Sequence, residues 1–397
     1  MSKESKYIAK RRLDAFLLSS LFFFMRIFPI KKNKVVFSTF EGDGGFCCNP
    51  KFIAMELHKR MPGVKIVWLT RKSKNEFPNY AKVVNYSKFN IAYHLSTAKV
   101  WVDNYRKPYG TLKRKKQLYI QTWHASMGFK AVGLYRGDKF PKIARLISEW
   151  DSNLIDYIIS NSEYCNQVYP KKLLYNGPTL MTGSPRVDCL INNKSELYYD
   201  IRKQYEIDNK IKLILFAPTF RGGNQSGKKQ VVADYPSIDF NKLIEKLETK
   251  YNSRWNVLVR LHPQLSAKFQ SMIPNNSDKR IIDVSQAPDI SEILAACDMV
   301  ITDYSSCAFD AMFGEIPVLL YSDDVNEYIE NRGQFMWKGE ELPFLLAETE
   351  SELYNNINEF DMNTYISKSK DFMKQHGVVE NGKASKEVTD TIVKYVE

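Results

Sequence analysis

What this sequence lacks narrows it first. It holds no G-x-G-x-x-G fingerprint and no Walker P-loop, so nicotinamide-dependent and ATP-dependent chemistry lose their usual signatures. It holds no G-x-S-x-G elbow, the frame that presents a hydrolase serine. Cysteine is scarce: the six are Cys47, Cys48, Cys165, Cys189, Cys297 and Cys307. None forms a C-x-x-C pair or stands at zinc-ligand spacing from a histidine, so neither a metal nor another cofactor is expected. Most lie in or beside apolar segments, as buried free thiols do, which points to a reducing, cytosolic compartment. No internal repeat or long low-complexity segment occurs, and no apolar run reaches the roughly 20 residues that span a bilayer.

What is present describes a folded chain with anionic business. The 397 residues are enough for two medium domains, and 44% hydrophobic against 26% charged is a globular balance. The formal charge of +12 suggests nucleic acid, an anionic membrane or a phosphate-rich substrate, or a merely solvated basic surface. Residues 13–30 read LDAFLLSSLFFFMRIFPI, with Lys10, Arg11 and Arg12 before them and Lys31, Lys32 and Lys34 after. Asp14 and Arg26 interrupt the run, and no small-residue cleavage site follows, so a signal peptide is not expected. On a helix, Leu13, Phe16, Leu17, Leu21, Phe24 and Phe28 share one face. Residues 1–33 are therefore expected to form an amphipathic helix that lies on an anionic membrane surface, the alternative being a helix packed on the protein itself.

From Lys34 onward short apolar runs alternate with helical stretches. Five strands are expected at 34–40, 64–69, 99–102, 117–122 and 156–162, and five more at 211–219, 255–262, 279–284, 298–304 and 316–321. Segments 239–251 and 289–297 read as amphipathic helices between them. This alternation indicates an α/β chain with two Rossmann-like domains, 34–195 and 196–397, joined through the polar helical stretch around 192–210. Ligands of such sheets bind beyond the carboxyl ends of the strands, so those positions are the candidates.

Two of only five histidines stand at such strand ends, one per half: His124 in QTWHASMG and His262 in WNVLVRLHPQ. If the two sheets face a central cleft, both imidazoles could meet there. His58, His94 and His376 have no such placement and read as structural. In the second half, APTFRGG offers the Thr219 hydroxyl, the Arg221 cation and the backbone of Gly222 and Gly223 to a phosphate, or forms a plain polar loop. ITDYSSCAFDAMF runs a strand into Asp303, Ser305 and Ser306 at the start of a helix. Serines there either cap the helix or aim hydroxyls and N–H groups at an anion.

QTWHASMGFKAVGL, APTFRG, RLHPQ and ITDYSSCAFDAMFGEIPVLLY, in this order and spacing, resemble the bacterial CDP-glycerol glycerophosphotransferases, which build teichoic acids and related capsular polymers. FEGDGGFCCNPKFI (40–53), AYHLSTAKVWVDNYRKP (92–108) and NGKASKEV (381–388) fit as well. The resemblance implies a GT-B-like fold and a peripheral enzyme at the cytoplasmic face of the bacterial membrane. The family's two essential histidines match His124 and His262. Its donor-nucleotide site matches Thr219, Arg221, Asp289, Ile290, Asp303, Ser305 and Ser306. The implied donor is CDP-glycerol or CDP-ribitol, the acceptor a lipid-linked glycan or polyol phosphate, and CMP the leaving product. His124 would be the general base and His262 would bind the pyrophosphate. Other classes left open are a GT-B glycosyltransferase using a sugar nucleotide and a noncatalytic binder of anionic polymer. A nucleic-acid partner is not expected, because no basic helix or stacking motif of nucleic-acid modules is found.

Overall fold

The computed structural model describes residues 3–125, 127–219, 238–261, 278–332 and 334–397. Among these residues, all ten expected strands form and every strand pairing is parallel. One sheet contains β1 (Lys31–Ser38), β2 (Lys65–Thr70), β3 (Ala81–Asn85), β4 (Ala98–Asp103), β5 (Leu118–Gln121), β6 (Tyr157–Ser160) and β7 (Thr179–Met181). The other contains β8 (Lys212–Ala217), β9 (Trp255–Val259), β10 (Ile281–Asp283), β11 (Met299–Thr302), β12 (Val318–Tyr321) and β13 (Leu345–Ala347). The strand orders are β3-β2-β1-β4-β5-β6-β7 and β10-β9-β8-β11-β12-β13. Both are doubly wound, with the chain reversing direction across the sheet between β1 and β4 and between β8 and β11.

The central strands are apolar over most of their length because both faces are covered. On β1, Val35 and Phe37 face one core, shared with Ile53, Leu57, Val388 and Ile392 of the helices Cys48–Arg60 and Ala384–Val396. Val36 faces the other, shared with Leu18 and Phe22 of the N-terminal helix Lys3–Met25 and with Ile91 and Leu95 of the helix Lys88–Thr97.

Three strands escaped the sequence pattern: β3, β7 and β13. All are sheet edges of three to five residues. An edge strand is paired on one side only and partly exposed, so it carries no continuous apolar run.

By packing, the chain divides into one unit of Met1–Ser126, Val132–Asp188 and Val378–Glu397, and a second of Met127–Ala131 and Cys189–Gly377. This division departs from one drawn at 195/196, because the last segment returns to the first unit. There, Val388, Ile392 and Val396 are buried, and Asp188 accepts hydrogen bonds from the backbone N–H groups of Ala384 (3.1 Å) and Ser385 (2.7 Å) at the helix start.

The N-terminal helix packs on the first unit through Ala15, Leu18, Phe22 and Met25. Of the face picked out from sequence, Leu13, Phe16, Leu17, Phe24 and Phe28 stay exposed, Phe16 by 67%. The helix therefore packs on the protein and still presents an apolar side outward. Among the described residues, no helix is long and apolar enough to cross a membrane.

Candidate functional site

In the first unit, β5 stops at Gln121 and the chain turns sharply through Trp123, whose φ of 51° is left-handed, a costly conformation for a bulky residue. Side chains from other elements impose the turn. Asn49 Nδ2 donates to the carbonyls of Thr122 (3.3 Å) and Trp123 (3.1 Å). Arg186 Nη1 donates to the His124 carbonyl at 2.6 Å, and Lys172 Nζ to the Ala125 carbonyl at 3.2 Å. Thr122 N–H ties the turn to the Asp103 carbonyl at 2.7 Å, beside the β1–β4 reversal.

His124 is thereby set among aromatic rings: Trp123 at 4.6 Å, Phe40 at 5.2 Å and Tyr105 at 5.6 Å between centroids. Its Nδ1 lies 2.9 Å from the Asn104 backbone carbonyl oxygen. A carbonyl only accepts, so Nδ1 carries the proton and Nε2 the lone pair. Burial pushes the imidazole pKa down; the Asn104 hydrogen bond opposes this, and Arg186, Lys172 and Arg106 add to it, leaving a value of about 4. The ring is thus neutral at neutral pH, with Nε2 ready to accept a proton.

Beneath it, at the carboxyl ends of β1 and β4, lies a buried ionic group. Lys107 Nζ stands 2.5 Å from Asp103 Oδ2 and 3.2 Å from Ser38 Oγ, and the Ser38 hydroxyl also donates to Asp103. Lys107 N–H donates to Asp151 at 2.9 Å. Burial raises the Asp151 pKa to about 7 against the lowering pull of that hydrogen bond and of Arg106. The group fixes the loop 103–107, which carries the Asn104 carbonyl.

The second unit assembles part of the donor set nominated from sequence. Asp303, at the end of β11, is buried and accepts the Thr219 N–H with both oxygens, each at 2.9 Å, and the Tyr304 N–H at 2.5 Å. Its carboxylate ties the β8 loop to the β11 loop across the chain reversal. Ser305 Oγ accepts the Cys307 N–H at 3.4 Å, a cap at the start of the helix Cys307–Phe313. Ser306 makes no side-chain cap bond, so the capping alternative holds for Ser305 alone. Both serines are half-buried. Asp289 is buried and caps the helix Ile290–Ala296 through Ser291 N–H at 2.9 Å, and Ile290 is half-buried in its first turn. Arg221 and His262 lie outside the described residues.

Sequence reading passed over Asn49, Asn104, Lys172 and Arg186. Asn49 and Asn104 sit inside stretches 40–53 and 92–108, so a signal for them existed. Lys172 and Arg186 act on a distant turn through the fold, and nothing local marks them.

A family model described as CDP-Glycerol:Poly(glycerophosphate) glycerophosphotransferase matches residues 20–394. The chain is similar to a teichoic acid poly(glycerol phosphate) polymerase of Staphylococcus epidermidis, 28% identical over 93% of this chain and 51% of that protein. It is similar to a teichoic acid glycerol-phosphate transferase of Staphylococcus aureus, 27% identical over 91% of this chain and 93% of that protein. A teichoic acid poly(ribitol-phosphate) polymerase of Bacillus spizizenii is 29% identical over 96% of this chain and 60% of that protein. The chain thus spans about half the length of the first of these relatives. Among solved structures, a variant of the wall teichoic acid polymerase TagF superposes with a TM-score of 0.79 at 26% identity, covering 99% of this chain and 97% of that one. The GT-B-like α/β class expected from sequence agrees with that likeness.

Proposed function

The chain belongs to the CDP-glycerol:poly(glycerophosphate) glycerophosphotransferase family, and we propose that it moves an alditol phosphate from a CDP-alditol to a hydroxyl of a teichoic acid or capsule precursor. The acceptor oxygen attacks the β-phosphorus in line, its proton passes to His124, and the bond to the bridging oxygen breaks to release CMP. The observation that carries this reading is the His124–Asn104 hydrogen bond, which leaves Nε2 as the accepting nitrogen of a neutral imidazole.

On the donor side, the Ser306 hydroxyl and the N–H groups around Ser305 would meet the pyrophosphate, with Arg221 and His262 supplying charge. The Asp303 bridge would hold the Thr219 loop in place for them. Asp289 and Ile290 would border the nucleotide. The acceptor is taken to be lipid-linked and the enzyme peripheral, at the cytoplasmic face of the membrane. The exposed side of the N-terminal helix and the charge of +12 support that placement.

The primary donor proposed is CDP-glycerol. CDP-ribitol is the second reading, supported by the similarity to a poly(ribitol-phosphate) polymerase. The deciding experiment follows CMP release from each donor in parallel, with a lipid-linked disaccharide and with an acceptor already carrying alditol phosphates. Release from one donor names the alditol. No CMP from either, with folded protein and both acceptors present, rejects the reading.

A further inference from the structure

The first unit has a concave feature at the opposite end of its sheet from His124. A cavity of about 500 Å³ opens at the amino ends of β1, β2 and β3. Four lysines line it: Lys31, Lys34, Lys65 and Lys82. The strand pattern puts three of them together. Lys34, Lys65 and Lys82 each precede by two residues a side chain of one core (Val36, Val67 and Val84), so they project from the same sheet face. Lys34 and Lys65 are register partners on adjacent strands. Tyr93 and His94 of the helix Lys88–Thr97 form the facing wall.

No carboxylate lines this cavity among the described residues. Lys34 is only 4% exposed, and its ammonium donates to the His94 carbonyl (3.2 Å) and the Thr97 hydroxyl (2.7 Å), both uncharged. Burial and then the charges of Lys31 and Lys82 push its pKa down to about 7. His94 is 7% exposed, and its buried Nδ1 has no hydrogen-bond partner. A buried cation normally stands with a counter-charge, and a buried ring nitrogen with a partner. Here both are wanting, in a cavity whose charged side chains are all positive.

We infer that this cavity is a binding site for a phosphate ester, with Lys31, Lys34, Lys65 and Lys82 supplying charge and the His94 ring forming part of its wall. A phosphate offers oxygens to several ammonium groups at once and neutralises what the fold leaves unpaired. Two sources share this chemistry: the headgroup of an anionic phospholipid, and a soluble glycerol phosphate. The wall residue Tyr93 meets the turn that follows the N-terminal helix, where the exposed Phe28 stands edge-on to it at 5.4 Å. The site is independent of the transfer chemistry at His124 and needs no part of it.

The test uses the full-length protein and two arms. One titrates glycerol 3-phosphate, against chloride at equal ionic strength, and follows the ring signals of the histidines by NMR. The other measures partition onto phosphatidylglycerol vesicles and onto phosphatidylcholine vesicles. The variant Lys31→Gln/Lys65→Gln/Lys82→Gln removes three exposed cations and leaves the buried Lys34 in place. Lys203→Gln/Lys210→Gln/Lys368→Gln removes the same charge from exposed positions of the second unit. The expected result is a phosphate-dependent shift of His94, or preference for the anionic vesicles, that weakens roughly tenfold in the first variant and hardly in the second. Response in the soluble arm alone assigns a free phosphate ester; response in the vesicle arm alone assigns a headgroup. Equal weakening in both variants, or no His94 shift together with no lysine-dependent partition, overturns the site.

Discussion

The Nδ1 of His124 lies 2.9 Å from the backbone carbonyl oxygen of Asn104. That single contact decides which nitrogen of the ring can act as a base. Replacing His124 with Ala is expected to cut CMP release by about 10²–10⁴-fold, the range of a lost general base, while CDP-alditol binding survives. Turnover assays beside calorimetric titration of the donor would check it. Near-normal turnover would remove His124 from the chemistry.

The depressed His124 pKa sets a pH profile. The active form is the neutral ring, so the acid limb of kcat/KM should fall near pH 4 and not near 6.5. Stability moves with the same sign. The folded pKa lies below the unfolded one, so the folded protein binds fewer protons between them. The contribution is fully present above pH 6.5 and is lost as pH falls toward 4. Urea unfolding at pH 7 and pH 5 should therefore show a smaller drop for His124→Ala than for the natural protein.

Arg186 positions His124 through the backbone, by its 2.6 Å bond to the His124 carbonyl. Arg186→Ala should destabilise the first unit by about 1–3 kcal/mol, the cost of a buried acceptor losing its partner. It should lower kcat more than it raises KM, because the ring loses its position. A change confined to KM would assign Arg186 to substrate binding.

Phe22 and its neighbours on the N-terminal helix separate packing from display. Phe22 is fully buried, and Phe22→Ala should cost about 3–5 kcal/mol. Phe16, Phe23 and Phe24 are each about two-thirds exposed, and replacing all three with Ser should leave the melting temperature unchanged. The same triple variant should release the protein from anionic vesicles. Retained binding would place membrane attachment elsewhere.

Asp188 should be needed for the last helix to dock. Asp188→Ala removes the acceptor of two backbone N–H groups and should cost about 1–2 kcal/mol. Hydrogen exchange at Ala384 and Ser385 would report the loss locally.

The central strands were legible because burial on both faces writes one apolar run per strand, as in 211–219 and 298–304. β3, β7 and β13 were not, since an edge needs only partial burial. Thr219, Asp303, Ser305 and Ser306 were legible by their place after β8 and β11, where reversal of the strand order opens a crevice. Their division of labour was not. Which carboxylate bridges loops depends on a contact between segments about 80 residues apart, and which hydroxyl stays out of capping on the local backbone geometry at the helix start. Of the N-terminal face read from sequence, Leu13, Phe16, Leu17, Phe24 and Phe28 are exposed, whereas Leu21 is partly buried against the core. Helical periodicity marks an apolar stripe but does not say which side meets the protein when Ala15, Leu18, Phe22 and Met25 form a second one.

The return of residues 378–397 to the first unit has a consequence for synthesis. A ribosome delivers β1 to β7 long before it delivers Val388, Ile392 and Val396, which complete the same core. Residues 189–377 come between, on the order of ten to forty seconds of translation. Through that interval the nascent first unit carries an open apolar face, and closing it must wait until residues 378–397 have been made.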